Sequence, residues 1–140
     1  MTKVLIVGFG NAAFGISRQD GRLQNFSHVG AWEHLGLEIS VVLENAPSEE
    51  ALIYIHYRDL KLVDDYSVIM EGGQTEFDLG VFCLPTSAAH LVLEILEKIN
   101  FGKVLLEKPI SYIPELAARI YDILDSKKTN FLVNYQRNWD

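Results

Sequence analysis

The chain has 140 residues, 49% of them apolar, which suits one globular domain burying about two-thirds of its unfolded surface. Its 12 Lys and Arg against 19 Asp and Glu give a net charge of −7, so nucleic acid and anionic membranes are excluded as expected partners. With one cysteine, Cys83, and an N-terminal apolar run too short for a signal peptide or spanning helix, we expect a cytoplasmic protein without an internal disulfide.

Short apolar runs rich in Val, Ile and Leu recur along the chain, as is typical of parallel strands that are buried on both faces. Stretches of helical period lie between them. The pattern therefore predicts an α/β domain of Rossmann type, a doubly wound parallel sheet with helices on both faces. The predicted strands are residues 3–7, 38–43, 61–63, 79–84, 103–106 and 130–133.

Helices between these strands are predicted from their end residues and apolar periodicity. Residues 47–59 are interpreted as a helix, although part of this segment has strand composition. The next helix is predicted to begin from Thr86 or Ser87 as N-cap and to stop at Gly102, and another begins at Pro114.

A glycine-rich turn follows the first strand and opens a helix. In the G-x-G-x-x-G/A fingerprint, glycines permit a tight turn and the close approach of a pyrophosphate, and a small third residue lets the helix pack on the strand. Gly8, Gly10 and Ala13 match these three positions. A turn without a ligand is the alternative, but the strand–turn–helix context favours dinucleotide binding by Gly8, Phe9, Gly10, Asn11, Ala12 and Ala13.

The end of the second strand indicates which dinucleotide binds. A carboxylate at Glu44 can accept hydrogen bonds from the adenosine ribose and would repel a 2′-phosphate, so we expect NAD, with NADP less favoured. Glu44 lies 44 − 10 = 34 positions after Gly10, whereas the fingerprint expects about 20. We therefore predict an insertion over residues 18–25 that interrupts the first helix. Its Arg18 and Arg22 are solvated or contact an anionic group.

Other classes of site fit the sequence less well. S-adenosylmethionine is the alternative ligand, but its enzymes usually have a polar residue before the glycines, where this chain has Ile6-Val7. The acidic doublets Glu49-Glu50 and Asp64-Asp65 are interpreted as surface residues rather than metal ligands, because no His or third carboxylate pairs with them. No metal site is predicted.

Two further strand ends are predicted to lie beside the glycine-rich turn, because the carboxyl ends of parallel strands lie on the same side of the sheet. One is followed by Leu84-Pro85-Thr86 and the other by Glu107-Lys108-Pro109. The proline restricts the chain next to Lys108. A lysine held at a strand end can donate to a substrate hydroxyl or take part in proton transfer, and simple solvation is the alternative.

Together these motifs resemble the Gfo/Idh/MocA family of NAD(P)-dependent dehydrogenases (glucose-fructose oxidoreductase and inositol dehydrogenase). The Glu-Lys-Pro element is the most specific of them. One departure from the family's pattern is the position of His90, five residues after Pro85. His90 either contacts the site or lies on the surface of a helix. The matching segments are residues 8–13, Leu84-Pro85 with His90, residues 107–109 and residues 134–140.

The resemblance implies roles for these residues. Lys108 would be catalytic, contacting substrate or sharing in proton transfer, and Glu107 and Lys108 would also contact the cofactor. The loop of Leu84, Pro85 and Thr86 would line the nicotinamide side, and Glu44 would meet the ribose.

In this family a second domain carries the substrate pocket and follows a segment like residues 134–140. We therefore expect residues 1–140 to be one cofactor domain of an oxidoreductase acting on a sugar, polyol or sugar nucleotide, inactive without that second domain. The alternative is a nucleotide-binding sensor or partner subunit without catalysis. Apolar surface near Tyr135 and Trp139 would favour a homo-oligomer.

Overall fold

The computed structural model describes residues 2–10, 12–14, 18–19, 22–23, 27–36 and 38–135. Six parallel strands form one sheet in the order β5-β4-β1-β6-β7-β8, and β2 and β3 form a separate antiparallel pair. The strands are β1 (Val4–Val7), β2 (Arg18–Gln19), β3 (Arg22–Leu23), β4 (Val41–Leu43), β5 (Lys61–Val63), β6 (Glu76–Phe82), β7 (Asn100–Glu107) and β8 (Asn130–Asn134).

This order confirms the doubly wound α/β fold. All six strands predicted for the main sheet are present, β5 with the predicted ends and the other five with shifted ends. Residues 38–40 lie outside β4, while β6 and β7 each begin three residues earlier than predicted. Alternate residues of β1 point to opposite faces and all four are buried, which explains why the run is apolar without interruption.

Helices cover both faces of the sheet. The first face is covered by α1 (His28–His34) and α2 (Glu49–Tyr57), and the second by α3 (Tyr66–Glu71), α4 (Ala89–Lys98) and α5 (Pro114–Ser126). None of the helices in the described ranges is long and apolar enough to span a membrane. The core therefore consists of two apolar layers separated by the sheet.

Side-chain caps fix the beginnings of two helices. Ser48 Oγ accepts a hydrogen bond from the Ala51 N–H at 3.2 Å, which confirms the predicted helix in residues 47–59. The carboxylate of Asp65 caps α3, a helix that the sequence pattern did not predict, by accepting from the Ser67 N–H at 2.7 Å.

The predicted ends of α4 are wrong at both sides. Residues Thr86–Ala88 form a 3-10 turn, and α4 begins after Ala88 without a side-chain cap. The Thr86 hydroxyl instead donates to the Pro109 carbonyl at 3.3 Å. Gly102 lies inside β7 rather than after the helix, and a Cβ there would lie 3.1 Å from the Asp78 carbonyl oxygen of the neighbouring strand. This glycine therefore serves close strand packing, not helix termination.

Candidate functional site

The strand order reverses at β1, which pairs with β4 on one side and β6 on the other. Val7 lies in register with Leu43 and with Phe82, so the chain segments that follow these three strands emerge next to one another. Ligands of open α/β sheets bind beyond the carboxyl ends of the strands at such a switch point. The candidate site lies here.

Gly8 makes the turn after β1, and its geometry excludes any other residue. Its φ is +86°, and a Cβ would lie 2.6 Å from the Cys83 carbonyl oxygen. Its N–H donates to the Leu43 carbonyl at 2.9 Å. Gly8 therefore lets the turn pack tightly between the ends of β4 and β6.

Gly10 differs from Gly8, because an added Cβ at Gly10 would meet no atom of the described residues within 4 Å, its chain neighbours aside. Open space therefore lies in front of its backbone, as the close approach of a pyrophosphate requires. The Gly10 carbonyl accepts from the Phe14 N–H at 2.8 Å and so begins a helical turn. Ala13, the third position of the fingerprint, is fully buried. Asn11 lies outside the described residues.

Glu44 lies against the glycine turn. Its Oε2 accepts from the Phe9 N–H at 2.8 Å, and its Oε1 accepts from the Ala46 N–H at 2.9 Å. A carboxylate offers about four acceptor positions, so each oxygen can take another hydrogen bond. The residue predicted to bind ribose is thus held beside the turn predicted to bind pyrophosphate.

The helix after the glycine turn is interrupted, as the spacing predicted. The Ala13 carbonyl accepts from the Val29 N–H at 2.9 Å, although a continuous helix would use residue 13 + 4 = 17, so 29 − 17 = 12 residues are inserted. Subtracting them from the spacing between Gly10 and Glu44 leaves 34 − 12 = 22, close to the expected value of about 20. The inserted segment includes the β2–β3 hairpin; the side chains of Arg18 and Arg22 in it lie outside the described part.

His28 is a residue of the site that the sequence analysis missed. It begins α1 directly after the insertion, and its Nε2 lies 2.7 Å from Glu107 Oε1 at the end of β7. Asn134 Nδ2, at the end of β8, donates to the same oxygen at 2.9 Å. Glu107 therefore ties the helix after the glycine turn to two strand ends. The insertion hid His28, because it separates this residue from the glycines along the chain.

The environment of Glu107 and Cys83 changes their acidity. Burial alone would raise the pKa of Glu107, but the hydrogen bonds from His28 and Asn134 outweigh it and hold the pKa below its ordinary value. Burial, and then the negative charge of Glu107, raise the pKa of the Cys83 thiol far above its usual range. Ligand atoms of His28, Cys83 and Glu107 lie within 4.8 Å of one another, and a hydrogen bond already joins His28 to Glu107.

The loops after β6 and β7 meet at the same edge. The hydrogen bond from Thr86 to Pro109 joins them, and Leu84 packs beside Gly8. Lys108 is exposed and forms no ion pair with another described side chain, and the peptide bond between Lys108 and Pro109 is cis. The structure therefore places Lys108 at the carboxyl ends of the strands, on the same side of the sheet as the glycine turn.

One predicted residue lies apart from the site, and one predicted segment is not described. His90 is exposed on α4 and forms no hydrogen bond with the described residues of the site, which matches a helix-surface histidine. Residues 136–140, including Trp139, lie outside the described part of the chain.

A concavity of about 630 Å³ lies at the amino ends of the strands, between α1 and α2. It is lined by residues such as Trp32 and Tyr54, together with Ile39 and Leu60 just before β4 and β5. Ligands of this architecture bind at the carboxyl ends of the strands, not at the amino ends. The glycine turn therefore marks the candidate site, and the concavity lies apart from it.

The fold and the glycine turn define a Rossmann-type domain, the class of fold that holds dinucleotides. No protein-family profile matches the chain. No curated protein sequence is significantly similar to it.

Solved structures with the same fold include oxidoreductases and an NAD-binding protein. The WlbA dehydrogenase from Chromobacterium violaceum, in complex with NADH and UDP-GlcNAcA, matches 99% of this chain with a TM-score of 0.73 and 20% identity. An NAD-binding protein from Listeria innocua matches 99% with a TM-score of 0.65 and 20% identity. The WlbA dehydrogenase from Bordetella pertussis, also with NADH and UDP-GlcNAcA, matches 94% with a TM-score of 0.69 and 19% identity. In all three cases this chain spans 36% of the other chain.

Proposed function

We propose that residues 1–140 form the dinucleotide-binding domain of an NAD(P)-dependent oxidoreductase similar to the Gfo/Idh/MocA family. One observation supports this proposal above all. The open backbone at Gly10 and the carboxylate of Glu44 lie side by side at the switch point of a parallel sheet.

A dinucleotide would contact the ends of four strands, β4, β1, β6 and β7. The N–H groups after Gly10 would bind the pyrophosphate, and Glu44 would accept hydrogen bonds from the adenosine ribose. The nicotinamide would lie toward the loops of Pro85 and Lys108. The NADH bound in both WlbA dehydrogenases supports a dinucleotide of this kind for this chain.

The charge of Glu44 favours NAD over NADP. A 2′-phosphate would be placed close to a carboxylate that two backbone N–H groups already hold in position. The following residues, 45–48, include no Lys or Arg that could neutralise this phosphate.

Lys108 is the proposed catalytic residue. A bound nicotinamide supplies the hydride acceptor for oxidation of a carbinol carbon. The ammonium group of Lys108, exposed at the carboxyl ends of the strands, would donate a hydrogen bond to the substrate oxygen and so stabilise the developing alkoxide while its proton passes to water. The proposed substrate class is a sugar, polyol or sugar nucleotide, and substrate binding would require a second domain like that of the family.

Calorimetric titration with NADH and NADPH tests the proposal. Gly10→Val would place a side chain in the open space without disturbing its neighbours, so it should abolish saturable NADH binding in a chain that remains folded. Gly72→Ala, at the end of α3 and away from the site, is the matched control and should bind as the parent does. Absence of binding by the parent chain, or equal binding by Gly10→Val, would overturn the cofactor assignment. NADH binding that is matched by NADPH would refute only the preference for NAD.

A further inference from the structure

The two outer strands of the main sheet, β5 and β8, differ in length and charge. At one edge, β5 has three residues, begins with exposed Lys61 and is followed by two exposed acidic residues. Short, charged edges discourage pairing with another chain. At the other edge, β8 has five uncharged residues and pairs with β7 along its whole length. Among the described strands, it has no neighbour on its outer side.

The outer strand also exposes apolar side chains. Phe131 is 40% and Leu132 47% exposed, although both lie in the middle of a strand. Tyr135 N–H donates to the Val133 carbonyl at 2.9 Å, so the backbone turns directly after the strand. Among the described strands, β8 is thus an uncharged edge strand of five residues with apolar side chains and one unpaired side, which is a template for a further strand.

We propose that β8 pairs antiparallel with β8 of a second copy of this chain, about a two-fold axis at Leu132. The sequence Asn-Phe-Leu-Val-Asn has the same order of polar and apolar residues in both directions. The pairing therefore places Asn130 opposite Asn134, Phe131 opposite Val133 and Leu132 opposite itself. A two-fold interface requires such a self-complementary surface.

In this register, the exposed apolar side chains on each face of the sheet would meet apolar side chains of the second copy. Phe131 pairs with Val104 of β7, and its ring packs at a tilt against Tyr121 of α5, with ring centroids 5.4 Å apart. An axis perpendicular to the sheet keeps each face on its own side, so the partner's Val133 would cover Phe131. On the other face, the two Leu132 side chains would cover each other beside half-buried Leu105. Residues that are exposed in the single chain would thus be buried in pairs.

The net charge of −7 opposes association of two copies, and salt screens this repulsion. The dimer should therefore strengthen as ionic strength increases. Because the contact is apolar and formed by backbone hydrogen bonds, salt should not dissociate it.

Sedimentation of the 140-residue chain over a wide range of concentration tests the proposal. The parent should pass from monomer to dimer, and Leu132→Lys should remain monomeric because two lysines would face each other at the axis. Ile53→Lys introduces the same charge at an exposed apolar residue of α2 and should dimerise as the parent does. A parent that stays monomeric throughout, or a dimer that survives Leu132→Lys, would overturn the proposal.

Cross-linking provides a second test that does not depend on destabilising the edge. Directly opposed residues of antiparallel strands have Cα atoms about 4.5 to 5.5 Å apart, within disulfide range. Leu132→Cys should therefore form a covalent dimer under mild oxidation, whereas the parent, with only Cys83, and Ile53→Cys should not. Equal cross-linking of the two cysteine variants would indicate random collision and refute the proposed register.

Discussion

His28 Nε2 lies 2.7 Å from Glu107 Oε1, and this contact joins the helix after the glycine turn to the end of β7. The side chains are only 14% and 20% exposed, so the pair is partly shielded from water. It connects the part of the site predicted to bind pyrophosphate with the strand that leads to Lys108. The pair therefore determines how the two halves of the candidate site are oriented.

Removal of the imidazole should destabilise the fold. In His28→Ala, the Glu107 carboxylate loses one of its two side-chain partners while it remains half-buried, so the free energy of unfolding should fall by about 1 to 3 kcal/mol. Urea unfolding monitored by circular dichroism measures this loss. Arg119→Ala, which removes an exposed pair with Glu97 at 3.5 Å, is the control and should cost less than about 1 kcal/mol. Equal losses in the two variants would show that the His28 contact is not structural.

Acid should weaken the hydrogen bond between His28 and Glu107. The pKa of Glu107 in the folded chain is below its ordinary value of 4.5, so its contribution to stability is complete above pH 4.5 and is lost as pH falls through the folded-state pKa. Glu107→Gln should therefore be less stable than the parent at neutral pH, and the difference in melting temperature should shrink in acid. A difference that stays constant from neutral pH to below pH 4.5 would contradict this assignment.

The two glycines of the turn should respond differently to the same substitution. Gly8→Ala combines a positive φ with a Cβ 2.6 Å from a backbone oxygen, so we expect a loss of stability of at least about 1 to 3 kcal/mol. Gly10→Ala adds a methyl group to open space and should leave the unfolding midpoint unchanged. Chemical denaturation of both variants measures the contrast. A large loss of stability in Gly10→Ala would show that other atoms of the chain occupy this space.

Cys83 should react slowly with a disulfide reagent such as dithionitrobenzoate. Thiolate is the reactive form, and burial raises the pKa of this thiol, so little thiolate forms in the folded chain. In urea the thiol should react at the rate of an ordinary cysteine. Equal rates in the folded and unfolded chains would contradict the burial of this side chain.

The sheet could be predicted from the sequence because its strands are buried on both faces. A run such as residues 4–7 has to be apolar throughout, and that leaves a clear signal. The helix α3 left none, because it has six residues and only Ile69 is buried. Its start depends on the Asp65 cap, which looks like any acidic surface residue in the sequence.

The candidate site was predictable where its residues are close to a strand end and obscured where the chain is interrupted. Gly8, Gly10 and Glu44 follow their strands directly. His28 lies 28 − 10 = 18 positions after Gly10, and the backbone hydrogen bonds from His28 to Ala12 and from Val29 to Ala13 show that 12 of these positions are inserted. The capping role predicted for Thr86 was wrong for a related reason, since its hydroxyl bonds a loop that is distant in the sequence.

Neutralising Glu44 should reduce the preference for NAD. Glu44→Gln removes the negative charge that would repel a 2′-phosphate but keeps an oxygen that can accept from the Phe9 N–H, so the turn should keep its shape. NADPH affinity should therefore rise relative to NADH affinity, while the free energy of unfolding falls by about 1 kcal/mol, because the amide nitrogen of Gln cannot accept from the Ala46 N–H. Parallel calorimetric titrations with both nucleotides measure the ratio, and Glu38→Gln, an exposed residue before β4, controls for the change in net charge. An unchanged ratio in a folded Glu44→Gln chain that still binds NADH would mean that the ribose lies elsewhere.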